Sequence, residues 1–561
     1  MKRLLRSFIV LQFVSLIIII GLLGLSFPGG AAQAAGKPPT ATPTSGGGPT
    51  PTPAPTATPV SGVPGGYSTS GTQILNPSNQ PFRITGVNWY GFETRDNVVH
   101  GLWTKHYTYI LNEAKQYGFN TVRIPFSNAL WESNPIPSSS KLSACPDCQG
   151  KHARDILAMI VNYAGSIGLH VIIDNHRSTA GNSAEDNGMW YASGFPESAW
   201  INDWKGVQRW AHGVAQSGDT IQVNYYASDG FPVILGYDLR NEPHTPSRTA
   251  YLDAATWGTG DGIDPAANPN PNPFAVSCAA ASTCKDWRLA AERAGDAILG
   301  DAAANGWDYP LIIVEGISTY PAAGGNAANG PYDGTWWGGS LQGVNGNSTN
   351  PGAPVVLNAG GSSSSLGAPV NNKLVYSPHE YGPAIFQQAW FNSSTCYKSG
   401  CGASSLADTW FKFWAYLNVP GGVNPTWPGH ASYPWSNTGH SGYSQAVLYM
   451  GELGTGNLDT DLTSTVPGSE GQWFTAAVNF IQSSQNKTPA NDPGLNITNL
   501  HFTYWALNDE DSYSVLGANY AGLENPKKLY SFLCFIEAAP FALPYGSGTG
   551  QCGSTGPLPT P

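Results

Sequence analysis

Charge is scarce in this 561-residue chain: Asp, Glu, Lys and Arg together make up only 11% of it, with 26 Lys and Arg against 37 Asp and Glu. A net charge of −11 leaves no electrostatic footprint for a phosphate backbone, so nucleic acid is not an expected partner. No Gly-rich phosphate loop follows the first predicted strand, which weighs against a doubly wound nucleotide-binding sheet. No internal repeat is present, which gives a solenoid no support. No second C-x-x-C accompanies Cys145-Pro146-Asp147-Cys148, which argues against a zinc or redox role for that pair. What the chain does have is 41% hydrophobic residues, 19 Trp and 26 Tyr. That supplies a core, and it offers flat apolar faces with hydrogen-bonding edges, which suit sugar rings as well as ordinary core packing.

The two ends differ from the middle. Lys2, Arg3 and Arg6 precede an apolar run over residues 8–27, followed by Ala32-Gln33-Ala34. A basic start, an apolar stretch and an A-x-A-like site read as a secretory signal over residues 1–35. The run is also long enough to span a bilayer, so an uncleaved membrane anchor is the alternative, and both readings export the rest of the chain. Residues 36–66 are rich in Pro, Thr and Gly and form an extended, solvated linker. The folded part is expected over 67–545, and 546–561 form a second flexible tail. In an exported chain, the close pairs Cys278/Cys284, Cys396/Cys401, Cys534/Cys552 and Cys145/Cys148 are expected as local disulfides.

Eight short, mostly continuous apolar runs are predicted strands: 82–88, 120–125, 170–175, 233–238, 311–315, 374–377, 446–451 and 500–505. Such runs suit parallel strands buried on both faces. Helical periodicity appears between them, as at 106–117, 155–167 and 286–299. The alternation predicts an α/β fold, a (β/α)8 TIM barrel with long loop insertions at 321–372 and 392–445.

Functional side chains of such a barrel gather at the C-terminal ends of its strands. Those ends carry Arg123 on the second strand, His176 on the third, Asn241-Glu242-Pro243 on the fourth, His379 and Tyr381 on the sixth, Glu452 on the seventh and Trp505 on the eighth. Glu242 and Glu452 can therefore face one pocket. Glycosidic cleavage needs such a pair, one acid to protonate the leaving oxygen and one carboxylate to attack the anomeric carbon or activate water. Glu315, ending the fifth strand, reads as scaffold. His379-Glu380-Tyr381 lacks metal-ligand spacing, so neither a metal nor another cofactor is expected.

Asn241-Glu242-Pro243 with Gly451-Glu452, supported by the other strand ends from Gly86 to Trp505, resembles glycoside hydrolase family 5, the cellulase A family. The segments around Asp286-Trp287-Arg288 and Trp336-Trp337-Gly338-Gly339 are most similar to those of bacterial secreted endo-β-1,4-glucanases. The resemblance implies that Glu242 is the acid/base and Glu452 the nucleophile of a retaining reaction. It implies that Arg123 keeps the nucleophile ionised, Asn241 binds the sugar 2-hydroxyl, and His379 and Tyr381 support the pair. It places His176, Trp505, Trp89, Trp336 and Trp337 along the sugar. Arg240 and Leu453 depart from residues common in relatives, which bears on packing around the pair.

The expected activity is thus that of a secreted, monomeric endo-β-1,4-glucanase acting on a β-linked polysaccharide. A β-mannanase, xyloglucanase or transglycosylase on the same site, or a non-catalytic carbohydrate-binding barrel, are the alternatives.

Overall fold

A computed structural model describes residues 65–245, 255–259, 285–321, 332–346, 352–358, 370–388, 391, 406–418, 445–464, 466, 468–486, 499–528, 541–542 and 549–550. Its main sheet is parallel throughout. The strands are β1 (Thr85–Asn88), β2 (Thr121–Ser127), β3 (His170–Arg177), β4 (Ile234–Asp238), β5 (Leu311–Glu315), β6 (Leu374–Ser377 and His379–Tyr381), β7 (Tyr449–Gly454) and β8 (His501–Tyr504). Pro378, which has no N–H to donate, divides β6 in two. The first half pairs with β5 and the second with β7, while the Tyr376 N–H donates to Val447 O (3.1 Å). The two ends of the sheet therefore meet, and the eight strands close into the expected (β/α)8 barrel.

Helices α1 (Tyr107–Gln116), α2 (Ala153–Ser166), α3 (Glu197–Ala211), α4 (Trp287–Asn305), α5 (Leu406–Phe413) and α6 (Glu470–Asn486) alternate with the strands. In α1, Tyr107, Ile110, Leu111 and Ala114 form the buried stripe that the periodicity predicts. Asp286 caps α4, and Gly306, at φ 66°, ends it in a left-handed conformation that costs glycine nothing. Trp200 and Trp204 of α3 both donate their indole N–H to Leu239 O (3.1 Å each), and Trp287 of α4 donates to Glu315 O (2.8 Å). Much of the tryptophan is thus core, and the indole N–H groups of these three satisfy carbonyls where a strand ends.

The barrel interior is layered. At its N-terminal end Ile84, Ile172, Leu235, Leu311, Ile313, Val375 and Tyr449 form a dry cluster closed from below by Tyr67 and Ile74. Burying each of the aliphatic side chains contributes about 1.5–3 kcal/mol. The plug belongs to a small antiparallel sheet, Ser68–Ser70, Gln73–Leu75 and Pro81–Phe82, so β1 begins at Thr85 rather than at the expected residue 82. Above this layer the interior turns charged. Along β3 the inward positions run Ile172, Asp174, His176; along β5 they run Leu311, Ile313, Glu315.

Cys145 and Cys148 form the expected disulfide. Cys278, Cys284, Cys396, Cys401, Cys534 and Cys552 lie outside the described residues, as do residues 1–64 and most of the two long insertions. Among the described residues, no helix is long and apolar enough to cross a membrane.

Candidate active site

Strict alternation would not bring both glutamates into one pocket. The β3–β4 pairing slips in register between Val171 and Ile172, and the β7–β8 pairing slips between Met450 and Leu453. Bulges of this kind re-aim side chains. On β7, inward Val447 and Tyr449 would be followed by Gly451 and Leu453; instead Glu452 turns inward and Leu453 joins the outer core. Gly451 permits this, because a Cβ there would lie 2.8 Å from both His379 Nε2 and Ser377 Oγ.

Arg123 stands fully buried at the centre. It donates from Nη1 to Glu452 Oε1 (3.0 Å) and Asn88 Oδ1 (3.0 Å), from Nη2 to Asn241 Oδ1 (3.0 Å) and Glu315 Oε1 (3.1 Å), and from Nε to Asp238 Oδ2 (3.0 Å). Asp174 Oδ1 lies 3.1 Å from Nη2. The other oxygen of Glu452 accepts from the Tyr381 hydroxyl at 2.6 Å. Burial opposes charge on Glu452, but His379 and Arg123 outweigh it and hold the carboxyl below its ordinary value.

Glu242 shares burial and His379 with Glu452 but is biased the other way. Burial pushes it up to about 7, against the hydrogen bond from His379 and with the Glu452 charge adding to the rise. Its Oε1 lies 3.1 Å from His379 Nδ1, and its backbone sits in the left-handed region at φ 50°. That conformation costs a non-glycine residue about 1 kcal/mol. Neighbouring bonds secure it: Glu242 N–H donates to Glu315 Oε2 (2.7 Å), and His244 Nδ1 donates to the Glu242 carbonyl (2.8 Å). An oxygen of Glu242 and one of Glu452 come within 4.8 Å of each other. Two carboxylates with opposed proton affinities are thus set side by side.

His176 is neutral, kept so chiefly by burial. Because Arg123 claims Asn241 Oδ1, the Asn241 amide N–H₂ faces His176 Nε2 (3.4 Å), so Nε2 accepts and Nδ1 donates to Asp174 (2.7 Å). Tyr90, Trp505 and His176 stack in a column, with ring centroids 5.3 Å and 5.7 Å apart. Asp511 fixes the Trp505 indole N–H at 3.0 Å. Trp337 is 43% exposed and lies flat on His244, with centroids 3.8 Å apart and planes 7° from parallel.

Two of the expected sugar-binding tryptophans need correction. Trp89 is fully buried and donates its indole N–H to His100 O (3.0 Å), so it braces the wall while adjacent Tyr90 faces the stack. Trp336 is turned inward against Tyr381 and Phe391 and is 6% exposed; of the Trp336-Trp337 pair only Trp337 reaches the surface. Arg240, the departure noted in the sequence, is fully buried and ties Met189 O (2.8 Å) and Asn175 Oδ1 (2.8 Å) together without touching either catalytic candidate. Asp174 and Asp238, both pushed up to about 7 by burial against the pull of Arg123, were not singled out by sequence reasoning. Their only signal was position at the ends of β3 and β4.

Three donor clusters have metal-like spacing among the described residues: Glu242/His379/Glu452, Asp174/Asp238/Glu315 and His106/Cys145/Asp147. In the first two, His379 and Arg123 already supply the positive charge an ion would bring; in the third, the Cys145 sulfur is taken by its disulfide.

Residues 75–423 match the family model described as cellulase (glycosyl hydrolase family 5), a span that ends before β7. An endoglucanase of Paenibacillus polymyxa is 31% identical over 477 residues, covering 84% of this chain and 88% of that protein. The major extracellular endoglucanase of Xanthomonas campestris pv. campestris is 32% identical over 322 residues, covering 57% of this chain and 50% of that protein. Among solved structures, an endocellulase from Pyrococcus horikoshii determined as a complex with cellotetraose has a TM-score of 0.58 at 26% identity, covering 84% of this chain and 98% of that one.

Proposed function

Because the chain belongs to glycosyl hydrolase family 5, the cellulase family, and is a glycoside hydrolase, we propose that it is a retaining endo-β-1,4-glucanase acting on internal bonds of a β-glucan. The relatives' names support the substrate class, and one of them is named as extracellular. The observation that carries the mechanism is the contrast between Glu242, pushed up to about 7, and Glu452, held below its ordinary value, with oxygens within 4.8 Å. Retaining pairs stand about 5–5.5 Å apart, whereas inverting pairs leave about 6.5–9.5 Å for a water.

In the first step Glu452 Oε attacks the anomeric carbon, the glycosidic C–O bond breaks, and Glu242 passes its proton to the departing sugar oxygen. In the second, Glu242, now a carboxylate, takes a proton from water; the water oxygen attacks the anomeric carbon and releases Glu452. Arg123 and the Tyr381 hydroxyl steer the nucleophile and stabilise its charge as it leaves. Asn241, its amide fixed by Arg123, is placed for the sugar 2-hydroxyl, and the Tyr90–Trp505–His176 stack forms the floor. Residues 1–35 direct export as a signal or anchor and 36–66 link it to the barrel of 67–545; the expected tail 546–561 is corrected in one place, since Thr549–Gly550 pairs antiparallel with Phe541–Ala542. Reducing-sugar release from carboxymethylcellulose, mannan and xyloglucan, measured side by side, tests the specificity; faster release from mannan or xyloglucan would overturn it.

The pH profile follows from the pair. Glu242 works protonated in the first step, so kcat/KM falls as pH rises through about 7. Glu452 works ionised, so kcat/KM falls on the acid side only below the ordinary carboxyl value of about 4.3. A basic limb near pH 5, or an acid limb above that ordinary value, would contradict the assignment.

Trp337 offers an exposed ring stacked on His244, whose Nδ1 donates to the Glu242 carbonyl. Trp337→Ala is expected to raise KM for a long β-glucan about 3–10-fold with kcat nearly unchanged, the loss of one stacking contact. An unchanged KM would remove Trp337 from the cleft.

A further inference from the structure

The buried carboxylate of Glu315 has no sugar to meet, yet it touches three of the working parts. Its Oε2 accepts the backbone N–H of Glu242 at 2.7 Å. Its Oε1 accepts from Arg123 Nη2 at 3.1 Å and lies 3.1 Å from His379 Nε2. Glu242 Oε1 lies 3.1 Å from His379 Nδ1, so the imidazole stands between two carboxyls. Burial pushes the Glu315 carboxyl up to about 8, against His379 and Arg123, whose N–H groups on these contacts favour its ionised form.

The surroundings hold Glu315 in this pose from two further directions. Trp287 of α4 donates its indole N–H to the Glu315 carbonyl at 2.8 Å. Gly338, at φ 69°, packs over the carboxylate; a Cβ there would sit 2.6 Å from Oε2, 3.5 Å from Glu242 Cα and 3.5 Å from His379 Cγ. The two sequence segments Asp286-Trp287-Arg288 and Trp336-Trp337-Gly338-Gly339 thus converge on one side chain.

We propose that Glu315 is a positioning residue of the hydrolysis: from the barrel interior it fixes the left-handed backbone of Glu242 and orients Arg123 and His379 toward the catalytic pair. This rests on the reading of Glu242 and Glu452 as acid/base and nucleophile. The role exceeds scaffolding, because Glu315 and the His379 it contacts both bear on the proton that Glu242 carries. Glu242 faces His379 on β6, Glu452 on β7 and Glu315 on β5; Glu315 itself faces Arg123 on β2, Asp238 on β4 and His379. The negative charge of Glu315 raises the proton affinity of Glu242, and His379 opposes it. Glu315 is also the first of the charges that keep His379 protonated, ahead of Glu452, so removing it changes both influences on the Glu242 proton, its own and that of the imidazolium.

The test compares the full-length wild type with Glu315→Gln and Glu315→Asp on a soluble β-1,4-glucan, with the folded fraction measured by circular dichroism. Gln keeps an acceptor for the Glu242 N–H and loses the charge; Asp keeps the charge and withdraws it by one methylene. Glu315→Gln is expected to lower kcat about 10–100-fold at a KM within threefold of wild type, and to displace the basic limb of kcat/KM. Glu315→Asp should return that limb toward wild type. Wild-type kcat and an unmoved limb in folded Glu315→Gln would overturn the proposal, as would a loss of kcat matched by a loss of folded protein with the limb unmoved. Should Glu315→Gln fail to fold, Gly338→Ala, which crowds Oε2, carries the same expectation, and wild-type kcat and limb there would overturn it. A ¹³C carboxyl titration of Glu242 in wild type and variant needs no substrate: a displaced midpoint in the variant supports the proposal and an equal one refutes it. A wild type inactive on every β-glycan would refute the functional reading and leave this titration to decide the inference.

Discussion

Replacing Glu452 with glutamine is expected to lower kcat on carboxymethylcellulose by about four to six orders of magnitude while leaving the barrel folded. The size follows from removing the proposed nucleophile, a loss no neighbour among the described residues is placed to share. The preserved fold follows from the contacts. Glutamine has the same shape, its oxygen can accept from Arg123, and its amide can donate to the Tyr381 oxygen, which accepts as readily as it donates. Arg123 keeps Asp174, Asp238 and Glu315 as counter-charges, so it is not stranded. Steady-state kinetics with a melting curve checks both halves. A variant within tenfold of wild type would remove Glu452 from the chemistry, and one that no longer folds would show that Arg123 needs this particular partner.

The second large effect distinguishes the two glutamates. Glu242→Gln is expected to cost about 10²–10⁴-fold on polysaccharide, the usual worth of a general acid. A substrate with a dinitrophenolate leaving group needs no proton, so its first step should remain close to the wild-type rate. The glycosyl-enzyme would then accumulate, because no base remains to activate water, and a burst of dinitrophenolate should precede a slow steady state. The raised proton affinity of Glu242 beside the ionised Glu452 is what motivates this split. Equal losses on activated and unactivated substrates, with no burst, would contradict the acid/base role.

Much of this arrangement is legible in the sequence, and the failures have physical causes. Residues 311–315 and 374–377 were read as strands to the residue, because a strand buried on both faces is a continuous apolar run bounded by polar or turn-forming residues. The seventh strand was expected three residues early, since its apolar run precedes the bulge that turns Glu452 inward. Periodicity alone would have placed Glu452 on the wrong face; its position at the end of the seventh strand, together with the resemblance around Gly451-Glu452, located it. Trp89 and Tyr90, or Trp336 and Trp337, are equal candidates in sequence, and the backbone's path at the mouth decides which ring meets solvent. The convergence of Asp174, Asp238 and Glu315 on Arg123 was not visible, because it joins four strands separated by whole helices. Composition left two uses open for the tryptophan, sugar binding and core packing, and much of it packs helices onto the barrel.

The account stands or falls on a covalent bond to Glu452. Incubation with a 2-deoxy-2-fluoro-β-cellobiosyl donor carrying a good leaving group slows release of the enzyme more than its capture, and peptide mass spectrometry then locates the sugar. The account predicts that one fluorocellobiosyl unit is added per chain, on the peptide that contains Glu452. A sugar on the Glu242 peptide, or turnover with no labelled peptide and an inverted product anomer, would contradict it.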